Sequence, residues 1–248
     1  MTWIKICGIT NLKDALVAVE AGADAVGFVF YEKSPRNITP EKAREIVNQL
    51  PDQIEKVGVV VANSESAIDV LRITHTAGLT AIQQHLTLSP LASAQSGAAT
   101  DRELFPKRFQ FFISLPAALV TANEQGMAKL VNSVVNIHRE VPGRTFAEAG
   151  VMKAFFLDSG NSAQPGGTGE PFDWNRAVPL AEGMRQGGLK LVVAGGLTPE
   201  NVAEAMGILH PWGVDVSSRV EVSPGKKDHG KIRAFVKAVR DADKANSN

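Results

Sequence analysis

The 248-residue chain has one cysteine, Cys7. A single thiol excludes intramolecular disulfides and a thiolate zinc cluster. There is no charge excess: 26 basic residues balance 26 acidic ones. Bulk charge therefore favours neither nucleic acid nor an anionic membrane as partner. No basic start leads into an apolar run, so no secretory signal is expected, and no segment reaches the roughly 18 to 20 apolar residues of a membrane span. A cytoplasmic location is the default expectation. No Gly-x-Gly-x-x-Gly follows the first strand-like run, which weakens a dinucleotide-binding reading. No Gly-x-Ser-x-Gly elbow and no His/Asp/Glu set at metal-ligand spacing is present, so no metal site is expected. Repeats and low-complexity tracts are also lacking.

What is there is a regular alternation. At 44% hydrophobic and 21% charged, the chain suits a compact core. Apolar, β-rich runs read as strands at Trp3–Ile6, Ala25–Phe30, Lys56–Val61, Thr80–Gln83, Phe109–Ser114, Lys153–Leu157, Lys190–Ala194 and Val214–Val216. Their near-continuous apolar character suits parallel strands covered on both faces. Between them, helical spacing predicts Asn11–Ala21, Ser64–His75, Asn123–Glu140, Asp173–Gln186 and Gly230–Ala242. Thr39-Pro40-Glu41 and Thr198-Pro199-Glu200 each carry a helix-start signal, Thr as N-cap and Pro at the first position. Crossover rules leave a closed (β/α)8 barrel or an open doubly wound sheet. Eight units in 248 residues favour an α/β fold of one (β/α)8 TIM barrel spanning 1–248. Irregular stretches near 86–108 and 141–150 read as insertions around the middle of the barrel, each too short for a core of its own.

In such barrels, chemistry sits at the carboxyl ends of the strands. Alternation puts Lys5 and Cys7 on one face of the first strand. A cation that close favours thiolate, although a lone Cys is equally a small buried hydrophobe. Asp158 ends the sixth run and is a candidate proton donor, or else the cap of a turn. The glycine loop 164–169, with Gly167, reads as a cover over a ligand or as a solvent loop. Gly195-Gly196 runs from the seventh strand toward a helix, and Ser217-Ser218 follows the eighth. Paired glycines, hydroxyls and amides at these two strand ends are a candidate phosphate site. Arg36, after the second strand, offers a fork for a carboxylate. Gln83 and His85 end the fourth.

These residues together resemble the phosphoribosylanthranilate isomerase family of tryptophan, hence aromatic amino acid, biosynthesis. The matching stretches are KICGIT at 5–10, GADAVGFVFYEKSPRNIT at 22–39, QQH at 83–85, FLDS at 156–159, GGTGEPFDW at 166–174, AGGLTPENV at 194–202 and GVDVSSRVEVSPGKKD at 213–228. The resemblance implies a (β/α)8 barrel and an Amadori rearrangement of N-(5-phosphoribosyl)anthranilate, a small phosphosugar substrate, with no metal or organic cofactor. By motif it makes Cys7 the general base, Asp158 the general acid and Arg36 the holder of the anthranilate carboxylate. Gly195, Gly196, Ser217 and Ser218 would line the phosphate site, and Lys5, Gln83, His85 and Gly167 complete the substrate-binding set. A monomer or homodimer is expected, with contact to other tryptophan-pathway enzymes an open option. Two positions depart from the family pattern: Arg219 and Leu86 stand where Gly is usual, and a Gly at 219 would allow close phosphate approach or a positive φ. The alternatives are a non-catalytic phosphosugar-binding barrel and a related histidine-pathway sugar-phosphate isomerase.

Overall fold

The structure is a computed structural model that describes residues 1–61, 67–85, 109–117, 152–159 and 171–246. The expected insertions at 86–108 and 141–150, the helix expected at Asn123–Glu140, Leu86 and Gly167 lie outside the described residues. In chain order the elements are β1 (Trp3–Ile6), α1 (Leu12–Ala21), β2 (Ala25–Val29), α2 (Pro40–Val47), β3 (Glu55–Val61), α3 (Ala67–Ala77), β4 (Ala81–His85), β5 (Gln110–Pro116), β6 (Met152–Asp158), α4 (Trp174–Gln186), β7 (Leu191–Val193), α5 (Val202–Leu209), β8 (Gly213–Val216), β9 (Glu221–Ser223), β10 (Lys226–Lys227) and α6 (His229–Ala245). Strands β1 to β8 pair in sequence order, and β1 pairs in parallel with β8 to close a barrel. All eight strands fall where the apolar runs predict them, to within a residue or two at each end.

Helix termini follow local chemistry. Asn11 caps α1 by accepting from Asp14 N at 3.0 Å, and Thr39 caps α2 ahead of Pro40. Asp173 and Asp228 cap α4 and α6 in the same way. The start signal at Thr198-Pro199-Glu200 is a correction: α5 begins only at Val202. The polar groups there are engaged in a turn instead. Thr198 N donates to Asn201 Oδ1 at 2.7 Å, and Asn201 Nδ2 donates back to Gly196 O at 3.0 Å. The Asn201 amide thus staples the Gly195–Gly196 loop rather than capping the helix.

The core has two parts. Between sheet and helices lies one large cluster, including Ile4, Ile6, Phe28, Leu157, Leu180 and Phe235. Inside the barrel, Trp3, Ala25, Val57, Ala81, Phe112, Ala154, Phe156 and Val192 form a second. Inward positions further along the same strands are polar and buried: Lys5, Gln83, His85, Ser114, Asp158 and Asp215. The two-residue period of a strand makes this possible, since Trp3 and Lys5, or Phe156 and Asp158, share a face.

Candidate active site

Lys5 is fully buried, and a buried ammonium needs an anion. Parallel register places Asp215 of β8 beside it, and Lys5 Nζ donates to Asp215 Oδ1 at 2.9 Å. The ammonium also lies 5.3 Å from the centre of the Phe156 ring. Burial alone would depress the Lys5 amine, but the charges of Asp215 and Cys7 outweigh it and hold the group above its ordinary value. Burial pushes the Asp215 carboxyl up, with Lys5 opposing. Burial likewise pushes the Cys7 thiol up, and Lys5 recovers only part of that shift. The sequence reading of a thiol that ionises more easily than a free one is corrected here: desolvation outweighs the neighbouring cation. Space for this pair comes from Gly27 of β2, where a Cβ would stand 2.8 Å from Cys7 Sγ and 2.9 Å from Lys5 Cε.

Across the same strand ends, Asp158, Gly195, Gly196, Leu197, Asp215, Val216, Ser217, Ser218 and Arg219 line a small solvent-open cleft. Gly195 has φ +82°, and a Cβ there would collide with Ser159. The proposed phosphate loops after β7 and β8 and the proposed acid at the end of β6 therefore share one cleft. Arg219 sits in a 3-10 turn, Ser218–Val220, and His210 is the one non-glycine with positive φ among the described residues. Position 219 thus does not require glycine for its backbone, and the arginine borders the cleft unstrained.

Gln83 and His85 both point into the barrel, where Gln83 Nε2 lies 3.2 Å from His85 Nε2. Burial, aided by the Lys5 charge, pushes the His85 imidazole down to about 4. It is therefore neutral and accepts a hydrogen bond from Gln83 at neutral pH. Gln83 Oε1 and Ser114 Oγ are buried without a hydrogen-bond partner among the described residues. Such orphans face the polar end of the barrel and suit a substrate hydroxyl or amine.

Arg36 does not stand open as a fork. Its Nε and Nη2 donate to the two carboxylate oxygens of Glu221 at 2.9 and 2.8 Å. Gly8, at φ +75°, lets the stem of Arg36 cross the loop after β1; a Cβ there would lie 2.6 Å from Arg36 Cδ and 2.9 Å from Ser217 Oγ. Ser217 Oγ in turn donates to Cys7 O at 3.1 Å. Asp215, Glu221, Ser114 and Lys227 are the residues that sequence reasoning did not assign. A lysine at an inward strand position was the available signal for Asp215, since it demands a buried anion.

Among the described residues, no group of three His, Cys, Asp or Glu is placed to hold a metal ion, and no helix is long and apolar enough to cross a membrane.

The comparisons with known proteins agree with this geometry. The sequence profile of the N-(5'-phosphoribosyl)anthranilate (PRA) isomerase family matches residues 4–238. An N-(5'-phosphoribosyl)anthranilate isomerase of Geobacter sp. (strain M21) is 42% identical over 237 residues, 95% of this chain and 97% of its own. The crystal structure of the phosphoribosyl anthranilate isomerase from Thermotoga maritima superposes with a TM-score of 0.72 at 37% identity, covering 97% of this chain and all of the other. A crystal structure of the same kind of enzyme in complex with reduced 1-(o-carboxyphenylamino)-1-deoxyribulose 5-phosphate gives 0.70 at 36% identity, over 97% of this chain and 100% of that one. The fold, the strand-end motifs and these matches converge, and the chain belongs to the N-(5'-phosphoribosyl)anthranilate isomerase family of tryptophan-biosynthetic enzymes.

Proposed function

We propose that the reaction runs through Cys7 and Asp158, with the phosphate on the loops after β7 and β8. The observation that carries this reading is the shared cleft: a buried carboxyl and two anion-suited loops line one opening, on the barrel end where Cys7 also lies. Asp158 donates a proton to the ring oxygen of the aminosugar, and the C1′–O bond breaks to leave an iminium and a hydroxyl. The iminium acidifies C2′–H, and the Cys7 thiolate takes that proton to give an enolamine. Protons balance when the enolamine becomes the ketone, C1′ gaining a proton from the thiol and O2′ returning one to Asp158. Lys5 is charged and next to Cys7, so it stabilises the thiolate when it forms, against the burial that favours thiol. The cationic iminium adds a second charge in the same direction. Gly195, Gly196, Ser217 and Ser218 hold the phosphate, and Gln83 and His85 meet the sugar end. Arg36 holds the ring carboxylate, through the edge of its guanidinium not taken by Glu221.

The test is turnover of freshly prepared phosphoribosylanthranilate, followed by loss of its fluorescence. The native chain is expected to turn over, with Cys7→Ala and Asp158→Ala each slower by about 10²- to 10⁴-fold. A variant that keeps a tenth or more of native kcat removes its residue from the acid–base pair.

A further inference from the structure

Glu221 belongs to none of the expected site residues, yet among the described residues it is the hub of a dense side-chain network at this end of the barrel. Its carboxylate accepts the bidentate fork of Arg36 and, at 2.7 Å, the ammonium of Lys227. Gly225 N adds a bond at 3.3 Å. The Glu221 and Lys227 side chains are only 4% and 0% exposed. Lys227 is itself fixed at both ends. Its Nζ donates to Ser217 O at 3.0 Å, and its backbone N donates to Asp14 Oδ2 at 2.8 Å. Asp14 Oδ1 is bonded to His229 Nε2 at 2.8 Å. Burial would push the Glu221 carboxyl up, but the hydrogen bond from Arg36 and the charge of Lys227 outweigh it and hold it below its ordinary range. Glu221 is therefore ionised at neutral pH.

Glu221 occupies the Nε/Nη2 edge of Arg36 and fixes the plane of the guanidinium, while Nη1 has no hydrogen-bond partner among the described residues. A planar fork held in one orientation discriminates by direction as well as by charge, which an arginine free to rotate does not. We propose that Glu221 is a positioning residue that sets the preference of the site for a substrate bearing a ring carboxylate, by aiming the free edge of Arg36. This rests on the reading of Arg36 as the carboxylate holder.

The test uses two substrates, phosphoribosylanthranilate and the phosphoribosyl adduct of aniline, which lacks the ring carboxylate. The readout is the ratio of their kcat/KM values, a selectivity that a loss of folded protein leaves unmoved. The native chain is expected to prefer the carboxylate substrate strongly, and Arg36→Ala to abolish that preference. Glu221→Gln should lower the ratio about tenfold, chiefly through KM of the carboxylate substrate, and Glu221→Asp should restore part of it. If Glu221→Gln does not fold, Glu221→Gln combined with Lys227→Gln removes the buried cation with its partner and carries the same measurement. A native ratio near one, unchanged by Arg36→Ala, overturns the Arg36 reading and the proposal with it. A ratio that collapses in Arg36→Ala but stays native in the Glu221 variants overturns the role of Glu221 alone.

Discussion

The two ends of the barrel interior are built from the same strands and solve opposite problems. At the amino end Trp3 stacks on Trp212 with ring centres 5.2 Å apart, and meets Phe112 and Phe156 at 5.6 and 6.2 Å. The cations there are covered by rings: Lys153 pairs with Glu55 and lies 5.6 Å from Trp3, and Lys190 lies 4.7 Å from Trp212. Apolar area is buried and charge is kept at its rim, which is the arrangement that stabilises. One pleat further on, the inward positions carry Lys5, Gln83, His85, Ser114, Asp158 and Asp215, all buried. Taking that many polar groups out of water costs stability unless each is paired. The polar half of the barrel is held together by the apolar half beneath it, and on the function proposed above its residues serve chemistry rather than folding.

The sharpest way to break this contrast is Lys5→Met. It leaves Asp215 buried without its cation, and is expected to cost about 3–5 kcal/mol in denaturant unfolding. It should also move ionisation of Cys7, read by thiolate absorbance, to higher pH. An unmoved titration would show that Lys5 does not sense the thiol. At the other end, Phe112→Ala should cost a comparable ~3–5 kcal/mol by opening a cavity, yet leave the Cys7 titration where it was. Cost without a thiol shift is what separates a stabilising position from a chemical one.

A pH series sharpens the comparison further. His85 is depressed to about 4 in the folded chain, against 6.5 for an ordinary imidazole. The unfolded chain therefore binds the extra proton first as pH falls. The stability tied to neutral His85 is complete above 6.5 and is lost as pH falls from there toward about 4, in all about 3 kcal/mol. His85→Gln should flatten that part of the unfolding profile. An unchanged slope would place the acid sensitivity elsewhere. The smallest effect is expected at the rim of the cleft. Arg219→Gly should raise the inhibition constant of inorganic phosphate by about threefold and weaken its dependence on salt, since an exposed arginine contributes modestly to anion binding. An inhibition constant within error of native would take Arg219 out of the phosphate site.

Much of this was legible in the sequence because it is local. Buried parallel strands are near-continuous apolar runs, and Leu191–Val193 or Glu55–Val61 could hardly read otherwise. Asn11, Thr39, Asp173 and Asp228 cap helices through hydrogen bonds three residues long or shorter. What was missed is either too short or too distant. The β9–β10 hairpin has strands of three and two residues, which leave no alternation to detect. Thr198 reads as a cap, but its environment recruits Asn201 to a loop instead. Cys7 is near Lys5 as expected, but the depth of burial that decides its ionisation is a property of the closed barrel. Asp215 pairs with a lysine 210 positions away, and the arginine whose fork Glu221 accepts is 185 positions away, so neither pairing leaves a local mark.

Those separations have a consequence for synthesis and assembly. Lys5 with Asp215 and Arg36 with Glu221 both bridge the seam where the last strands meet the first. Closing loops of that length is slow, and Asp215 and Glu221 reach these cations only when the last strands do. On the ribosome, Lys5 is made 210 positions before Asp215, so its ammonium stays hydrated until the closing strand follows. On the proposed reading, catalytic competence is expected to arrive with the closing strand, so that the first turnover reports a ring that is shut.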